Sequence, residues 1–120
     1  MRVHDLLDEH GRVYAFEVSN TVIGRRGACA IINRIPGSRI VRGPGFLSWF
    51  REEQFCAFEL KRQRFLVEEP FGDNSRYWIG PEPPVWCVEI DEVRRAFLNA
   101  NSFMALARGS FGLWKRSARR

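Results

Sequence analysis

The densest group of polar and aromatic side chains in this sequence of 120 residues lies in its second half. Asp73 and Asn74 can orient hydrogen bonds from a loop, and the Arg76 guanidinium can bind a carboxylate or a phosphate through two parallel hydrogen bonds. Tyr77 and Trp78 add stiff, amphipathic contact area, which is typical of binding surfaces. The stretch therefore predicts a ligand- or partner-binding site formed by these five residues.

The same stretch has two other interpretations, and both stay open. In the first, Asp73 and Asn74 close a turn through side chain to backbone hydrogen bonds, and one of the two aromatic residues enters the core. Arg76 then pairs with Glu68 or Glu69. In the second, Asp73 and Arg76 serve a small hydrolase or transferase that acts on an anionic substrate, with a histidine brought close by folding. Such an enzyme needs a deep pocket around Arg76.

The three cysteines, Cys29, Cys56 and Cys87, are odd in number and separated by 27 and 31 residues, so no close pair suggests a zinc site or a dithiol. Each has apolar neighbours, which predicts a core thiol with a raised pKa. A nucleophilic cysteine would need a histidine, and the only two are His4 and His10. We assign no catalytic residue.

The amino-terminal residues hold enough ligand types to bind a divalent cation: His4, Asp5, Asp8, Glu9 and His10. Such residues close to a chain end are usually a solvated surface, so we predict no metal site. The glycine-rich stretches match neither a phosphate-binding loop nor a dinucleotide fingerprint. The sequence therefore predicts no cofactor.

The formal net charge is +5, but its distribution matters more than its sum. Arg108, Lys115, Arg116, Arg119 and Arg120 lie in a final segment without acids, and the other residues hold fourteen cations and fourteen acids. A duplex-binding domain usually concentrates its cations on one folded face, so specific DNA recognition is disfavoured. A weaker alternative is nonspecific nucleic-acid contact through the last four of these cations.

Hydrophobic periodicity predicts the elements that hold these residues. Alternation over 12–18 indicates a first strand, and a helix follows Ser19 and Asn20, both good N-cap residues, and stops before Pro36. Asp91 can cap a second helix, whose apolar stripe extends to Met104. Further strands are predicted over 39–42, 55–60, 64–69, 76–80 and 85–90. The hairpin between the second and third of these lacks a turn glycine, so we expect a loop longer than two residues.

This order of elements predicts an α+β fold with a single, mainly antiparallel sheet of four to six strands and two helices packed on one face. Residues 1–108 form one domain and residues 109–120 a basic, flexible tail. Apolar residues over 46–55 would form core or a partner surface. Without a membrane span or a leader, we expect a cytoplasmic protein. The resulting hypothesis is a small non-catalytic binding protein, such as an inhibitor, an antitoxin-like partner or an accessory subunit. Its partner is another protein or a small anionic ligand, with a homo-oligomer as an alternative.

Overall fold

A computed structural model of the chain describes residues 1–21, 23–42, 54–70 and 75–100. The predicted site residues Asp73 and Asn74, the apolar stretch over 46–53 and the tail 109–120 lie outside them. The described residues form the following strands and helices in chain order: β1 His4–Leu7, β2 Val13–Ser19, α1 Arg25–Asn33, β3 Ser38–Arg42, β4 Gln54–Leu60, β5 Gln63–Glu68, β6 Arg76–Pro81 and α2 Ile90–Leu98.

The strands form one sheet in the order β1-β2-β6-β5-β4-β3, and every neighbouring pair is antiparallel. β6, the last strand of the described residues, lies between β2 and β5 and joins the two halves of the sheet. The predicted α+β class with a single antiparallel sheet and two helices is confirmed. Each helix has nine residues, fewer than the roughly 20 that a bilayer span requires.

The hydrophobic core lies between the helices and the sheet face that they cover. α1 packs against β3 and β4, and α2 packs against β2. The rings of Phe16 and Phe97 meet edge to face with centroids 5.4 Å apart, and those of the cross-strand pair Phe58 and Phe65 stack at 5.1 Å. All four side chains are fully buried. Burial of each contributes about 1.5–3 kcal/mol, so the first pair holds α2 on β2 and the second holds β4 on β5.

The turn between β4 and β5 contradicts the predicted longer loop. Leu60 pairs directly with Gln63, and the two turn residues between them, Lys61 and Arg62, have φ angles of 53° and 71°. Two residues with positive φ match the right-handed twist of a hairpin, but side chains other than glycine, asparagine and aspartate disfavour that conformation. The apolar pairing of the two strands outweighs the local preference here.

The helix starts differ from the sequence prediction. α1 begins at Arg25, and its N-cap is Gly24 rather than Ser19 or Asn20. Those two side chains are used elsewhere: the Ser19 hydroxyl shares a hydrogen bond with the Thr21 hydroxyl, and the Asn20 amide donates to a carboxylate on the sheet. With these polar side chains engaged, residues 20 and 21 form a turn after β2, and α1 begins several residues later than predicted.

α2 begins at Ile90, with Glu89 at the N-cap position in place of the predicted Asp91. Asp91 lies in the first turn instead, where its carboxylate accepts two hydrogen bonds from Arg95, four residues on. An acid in the first turn also complements the helix dipole. The predicted extension of this helix to Met104 falls outside the described residues.

Two strand predictions were wrong. The strand predicted over 85–90 is absent, because that segment bends and turns into α2. Pro83 and Pro84, which lack a backbone N–H, precede it, and the peptide bond between Glu82 and Pro83 is cis. Conversely, β1 was not predicted. Its four residues, His4–Leu7, are too few to show a clear alternation.

Candidate functional site

The described residues of the predicted site lie on β6, where neighbouring side chains point to opposite faces of the sheet. Tyr77 points towards the helices and is 3% exposed. Arg76 and Trp78 point to the other side, which we call the second face of the sheet. The structure thus brings Arg76 and Trp78 together and separates both from the Tyr77 side chain.

Tyr77 is part of the packing between α1 and the sheet. Its ring meets that of Phe55 edge to face, with centroids 5.0 Å apart. Burial, assisted by the nearby carboxylate of Glu69, raises the pKa of Tyr77 to about 12. The phenol therefore stays protonated at neutral pH and forms part of the protein's own interior.

Arg76 is held in a cross-strand ion pair. Its guanidinium nitrogen lies 3.1 Å from Oε1 of Glu17, on the neighbouring strand β2. The partners expected from the sequence have other contacts: Glu68 accepts a hydrogen bond from the Gln54 side chain, and Glu69 binds Asn20 and Arg25. The Arg76 side chain nevertheless remains 42% exposed. A partner that bound it would compete with Glu17 or share the guanidinium with it.

Trp78 lies across the second face. A Cβ atom built at Gly80 would meet the Trp78 ring at 2.6 Å and the Cβ of Ala15 at 2.8 Å, so the indole rests on the glycine and beside the alanine. Glu17 and Glu68 are its cross-strand neighbours. Trp78 is half-buried, so its ring covers the sheet with one side and keeps part of its surface available.

The contacts of Glu69 attach the start of α1 to the sheet. Arg25 approaches Oε1 of Glu69 at 2.8 Å, and the Asn20 amide donates to the other carboxylate oxygen at 2.9 Å. The Arg25 guanidinium also lies over the Phe55 ring, 4.7 Å from its centroid. The Arg25 guanidinium thus binds both the Glu69 carboxylate and the face of the Phe55 ring, so we interpret this cluster as structural.

The cysteines lie in the core or against it as predicted, but the predicted rise in pKa is wrong for Cys29. Cys29 and Cys56 are buried, and Cys87 is half-buried against the core. The thiols of Cys29 and Cys56 share a hydrogen bond, which raises the pKa of Cys56, together with burial, and lowers the pKa of Cys29. Burial raises the pKa of Cys87. Sequence reasoning missed the pair because its members are 27 residues apart, on α1 and β4.

A second region, which sequence reasoning missed, lies where the β1–β2 hairpin meets the segment before α2. Four large apolar side chains are exposed there, and we call them the Trp86 surface: Leu7 at 60%, Val85 at 63%, Trp86 at 38% and Val88 at 67%. Trp86 and Val88 line an open cavity of about 430 Å³. Val13, the β2 partner of Leu7, lines the same cavity.

The hairpin turn places one wall of this cavity. The Asp8 carboxylate accepts hydrogen bonds from the backbone N–H groups of His10 and Arg12, at 2.8 and 3.0 Å, and Gly11 supplies a φ of +78°. These bonds lower the pKa of Asp8. The turn directs the Arg12 guanidinium over the Trp86 ring, 4.7 Å from its centroid. The orientation of Trp86 is therefore set in part by the hairpin.

The opposite wall is an ion pair between β1 and α2. The Arg94 guanidinium donates two hydrogen bonds to Asp5, at 2.7 and 2.9 Å, and these bonds raise the pKa of Arg94. With Asp5 and Asp8 engaged, the amino-terminal acids do not converge. Among the described residues, no three histidine, cysteine, aspartate or glutamate side chains form a group that could hold a metal ion.

A second cavity, of about 340 Å³, lies between the end of α1 and α2 and is lined by Ile31, Ile35 and Ala96, among others. Neither of these two cavities includes Arg76 in its wall. Neither of the two is therefore the deep pocket at Arg76 that the enzyme interpretation needs.

The chain matches no known family. Comparisons with family models, with curated proteins and with solved structures all end without a match. Any function must therefore be argued from the geometry itself.

Proposed function

We propose that the protein is a non-catalytic binding protein that contacts another protein through the Trp86 surface. The observation that carries this proposal is that the exposed side chains of Trp86 and Val88 line an open cavity, with the exposed Leu7 opposite a third lining residue, Val13. Of the five exposed large apolar side chains in the described residues, only Leu98 lies outside the Trp86 surface. Exposed apolar patches with polar rims are typical of protein interaction sites.

The chemistry of the Trp86 surface suits a protein partner. Tryptophan and arginine are the residue types most enriched among energetically dominant interface residues, and Arg12 is stacked on Trp86 here. The ion pairs of Arg12 with Asp8 and of Arg94 with Asp5 form a polar rim. A rim that is already paired needs little reorganisation when a partner binds.

Arg76 and Trp78 remain a second candidate contact region on the other face of the sheet, as the sequence predicts together with Asp73 and Asn74. We favour the Trp86 surface because Trp86 and Val88 line an open cavity there, whereas neither Arg76 nor Trp78 lines either of the two cavities described above. The proposal includes the cytoplasmic location expected from the sequence, which the free thiols favour.

The experiment compares matched exposed positions. We would first capture proteins from the native host with the tagged chain and with its Trp86→Ala and Leu98→Ala variants. Each captured protein is then purified and titrated by calorimetry against the wild type and both variants. Leu98 is the control, because it is 37% exposed against 38% for Trp86 and lies outside the patch. We expect Trp86→Ala to weaken binding about 30-fold, as for a dominant interface residue, while Leu98→Ala binds normally.

The melting temperature decides whether such a loss is local. It should stay within a few degrees of the wild type for both variants. A purified partner that binds Trp86→Ala as tightly as the wild type refutes the proposal. If Arg76→Ala or Trp78→Ala weakens binding instead, the second face is the contact region.

A further inference from the structure

We infer that the partner contributes an extended segment, which adds a strand to the outer edge of β1 and places an apolar side chain in the cavity beside Trp86. This inference rests on the proposed function and specifies the kind of partner that it needs. It starts from the sheet topology: among the described residues, β1 pairs with β2 alone, so one of its edges has no strand beside it.

The two edges of the sheet differ in composition. β3, at the opposite edge, carries Arg39 and Arg42, and charged side chains are a common device against pairing of an exposed edge. β1 has no lysine or arginine and ends in Leu7, whose side chain is 60% exposed. Of the two edges, β1 is the one whose side chains permit a further strand.

The cavity lies where an added strand would deliver a side chain. Asp5 belongs to β1 and also lines the cavity, and Leu7, which follows an irregularity in the β1–β2 pairing, lies opposite Val13, another lining residue. An added strand would run about 4.8 Å outside β1, with every second side chain on the side of the cavity. One of those side chains would then face Trp86 and Val88. Strand addition combined with a pocket for alternate side chains is an established mode of peptide recognition.

Arg2 is exposed just before β1, so only the hairpin end of this edge favours a cationic residue on the bound segment. Asp5, Asp8 and Asp91 are each paired with an arginine. Glu9, in the hairpin turn just after β1, has an 87% exposed side chain, and the His10 imidazole lies 3.8 Å from its Oε1. No lysine or arginine of the described residues pairs with it. A partner segment with alternating apolar residues and a lysine or arginine at one end would complement both features.

The test uses random peptides of twelve residues displayed on phage and selected on the immobilised full chain alone. We expect enriched sequences to alternate apolar residues and to carry a lysine or an arginine. A synthetic copy should bind the wild type and should lose about tenfold or more in affinity with Trp86→Ala. It should also slow hydrogen exchange at alternate backbone amides of His4–Leu7.

The decisive control is made on the peptide and leaves the protein untouched. N-methylation of the peptide amides that face β1 should lower affinity about tenfold, because each methyl removes a hydrogen-bond donor, while methylation of the intervening amides should change it little. Glu9→Gln should weaken a cationic peptide a few-fold at low salt, and less as salt rises.

The outcomes separate the inference from the proposed function. If peptides bind in a Trp86-dependent way but leave the exchange of β1 amides unchanged, strand addition is refuted and the Trp86 surface remains the binding site. If enriched peptides protect another region and ignore Trp86→Ala, both are refuted. If no peptide is enriched, strand addition is refuted, and the titration with a purified natural partner still decides the proposed function.

Discussion

Substituting alanine for Gly80 tests whether Trp78 and Ala15 pack against this glycine on the second face of the sheet. The added Cβ would lie 2.6 Å from the Trp78 ring and 2.8 Å from the Cβ of Ala15, against the 3.5–4.0 Å of a favourable carbon contact. The half-buried indole can move aside. The Ala15 Cβ cannot, because it is fixed to the backbone of β2.

The expected cost follows from two opposing contributions. Overpacking of this kind costs about 1–3 kcal/mol of folding stability. Replacing a glycine that has an ordinary backbone conformation stabilises the protein by about 0.4–1 kcal/mol, because alanine lowers the conformational entropy of the unfolded chain. Gly80→Ala should therefore lower the free energy of unfolding by about 1–2 kcal/mol, which corresponds to about 4–8 °C in Tm for a domain of this size.

The assay is equilibrium unfolding in urea followed by circular dichroism, in the wild type and in an Ala15→Gly/Trp78→Ala background. With both obstructing groups removed, Gly80→Ala should be neutral or stabilising by up to about 1 kcal/mol. Each comparison is made within one background, so the separate cost of losing Trp78 cancels. An equal loss of stability in both backgrounds would refute the packing described for the second face.

Two other predictions concern Tyr77 and the β4–β5 turn. Burial raises the pKa of Tyr77 from 10 to about 12, so the stability that the protonated phenol contributes is complete below pH 10 and is lost as the pH rises towards 12. Absorbance titration at 295 nm should therefore show one tyrosine that ionises near pH 12. This ionisation should be missing in Tyr77→Phe and present in Tyr14→Phe. A titration in which no tyrosine ionises above the ordinary pKa of 10 would contradict the burial of Tyr77. Arg62→Gly relieves a φ of 71° and should stabilise the protein by about 1 kcal/mol in urea unfolding, while Arg64→Gly, in the adjoining strand, should destabilise it.

Strand alternation and turn residues were sufficient to predict most of the sheet. The apolar runs that became β4 and β5 were found together with their pairing, because both strands are long and bounded by polar residues. β1 was not predicted, because a single alternation over the four residues His4–Leu7 cannot be distinguished from a polar chain terminus. The two-residue turn at Lys61 and Arg62 was not predicted, because the pairing of β4 with β5 determines it and the turn residues themselves do not favour it.

The candidate site was harder to predict, for reasons of geometry. Alternation within β6 separates Tyr77 from Arg76 and Trp78, but the sequence does not say which side of a strand the helices cover. The partner of Arg76 lies on β2, 59 residues away, so it could not be read from neighbouring acids. Trp86 was assigned to a strand, and its exposure depends on how the chain turns after Pro83 and Pro84.

The position of β6 has a consequence for the chain as it leaves the ribosome. β1 and β2 form one portion of the sheet, and β3, β4 and β5 form another, and among the described residues no strand pairing joins the two portions until residues 76–81 have been translated. Until then β2 and β5 each present an unpaired side to other nascent chains, a situation that promotes aggregation. Synthesis of this one short strand turns two separate fragments into a continuous structure.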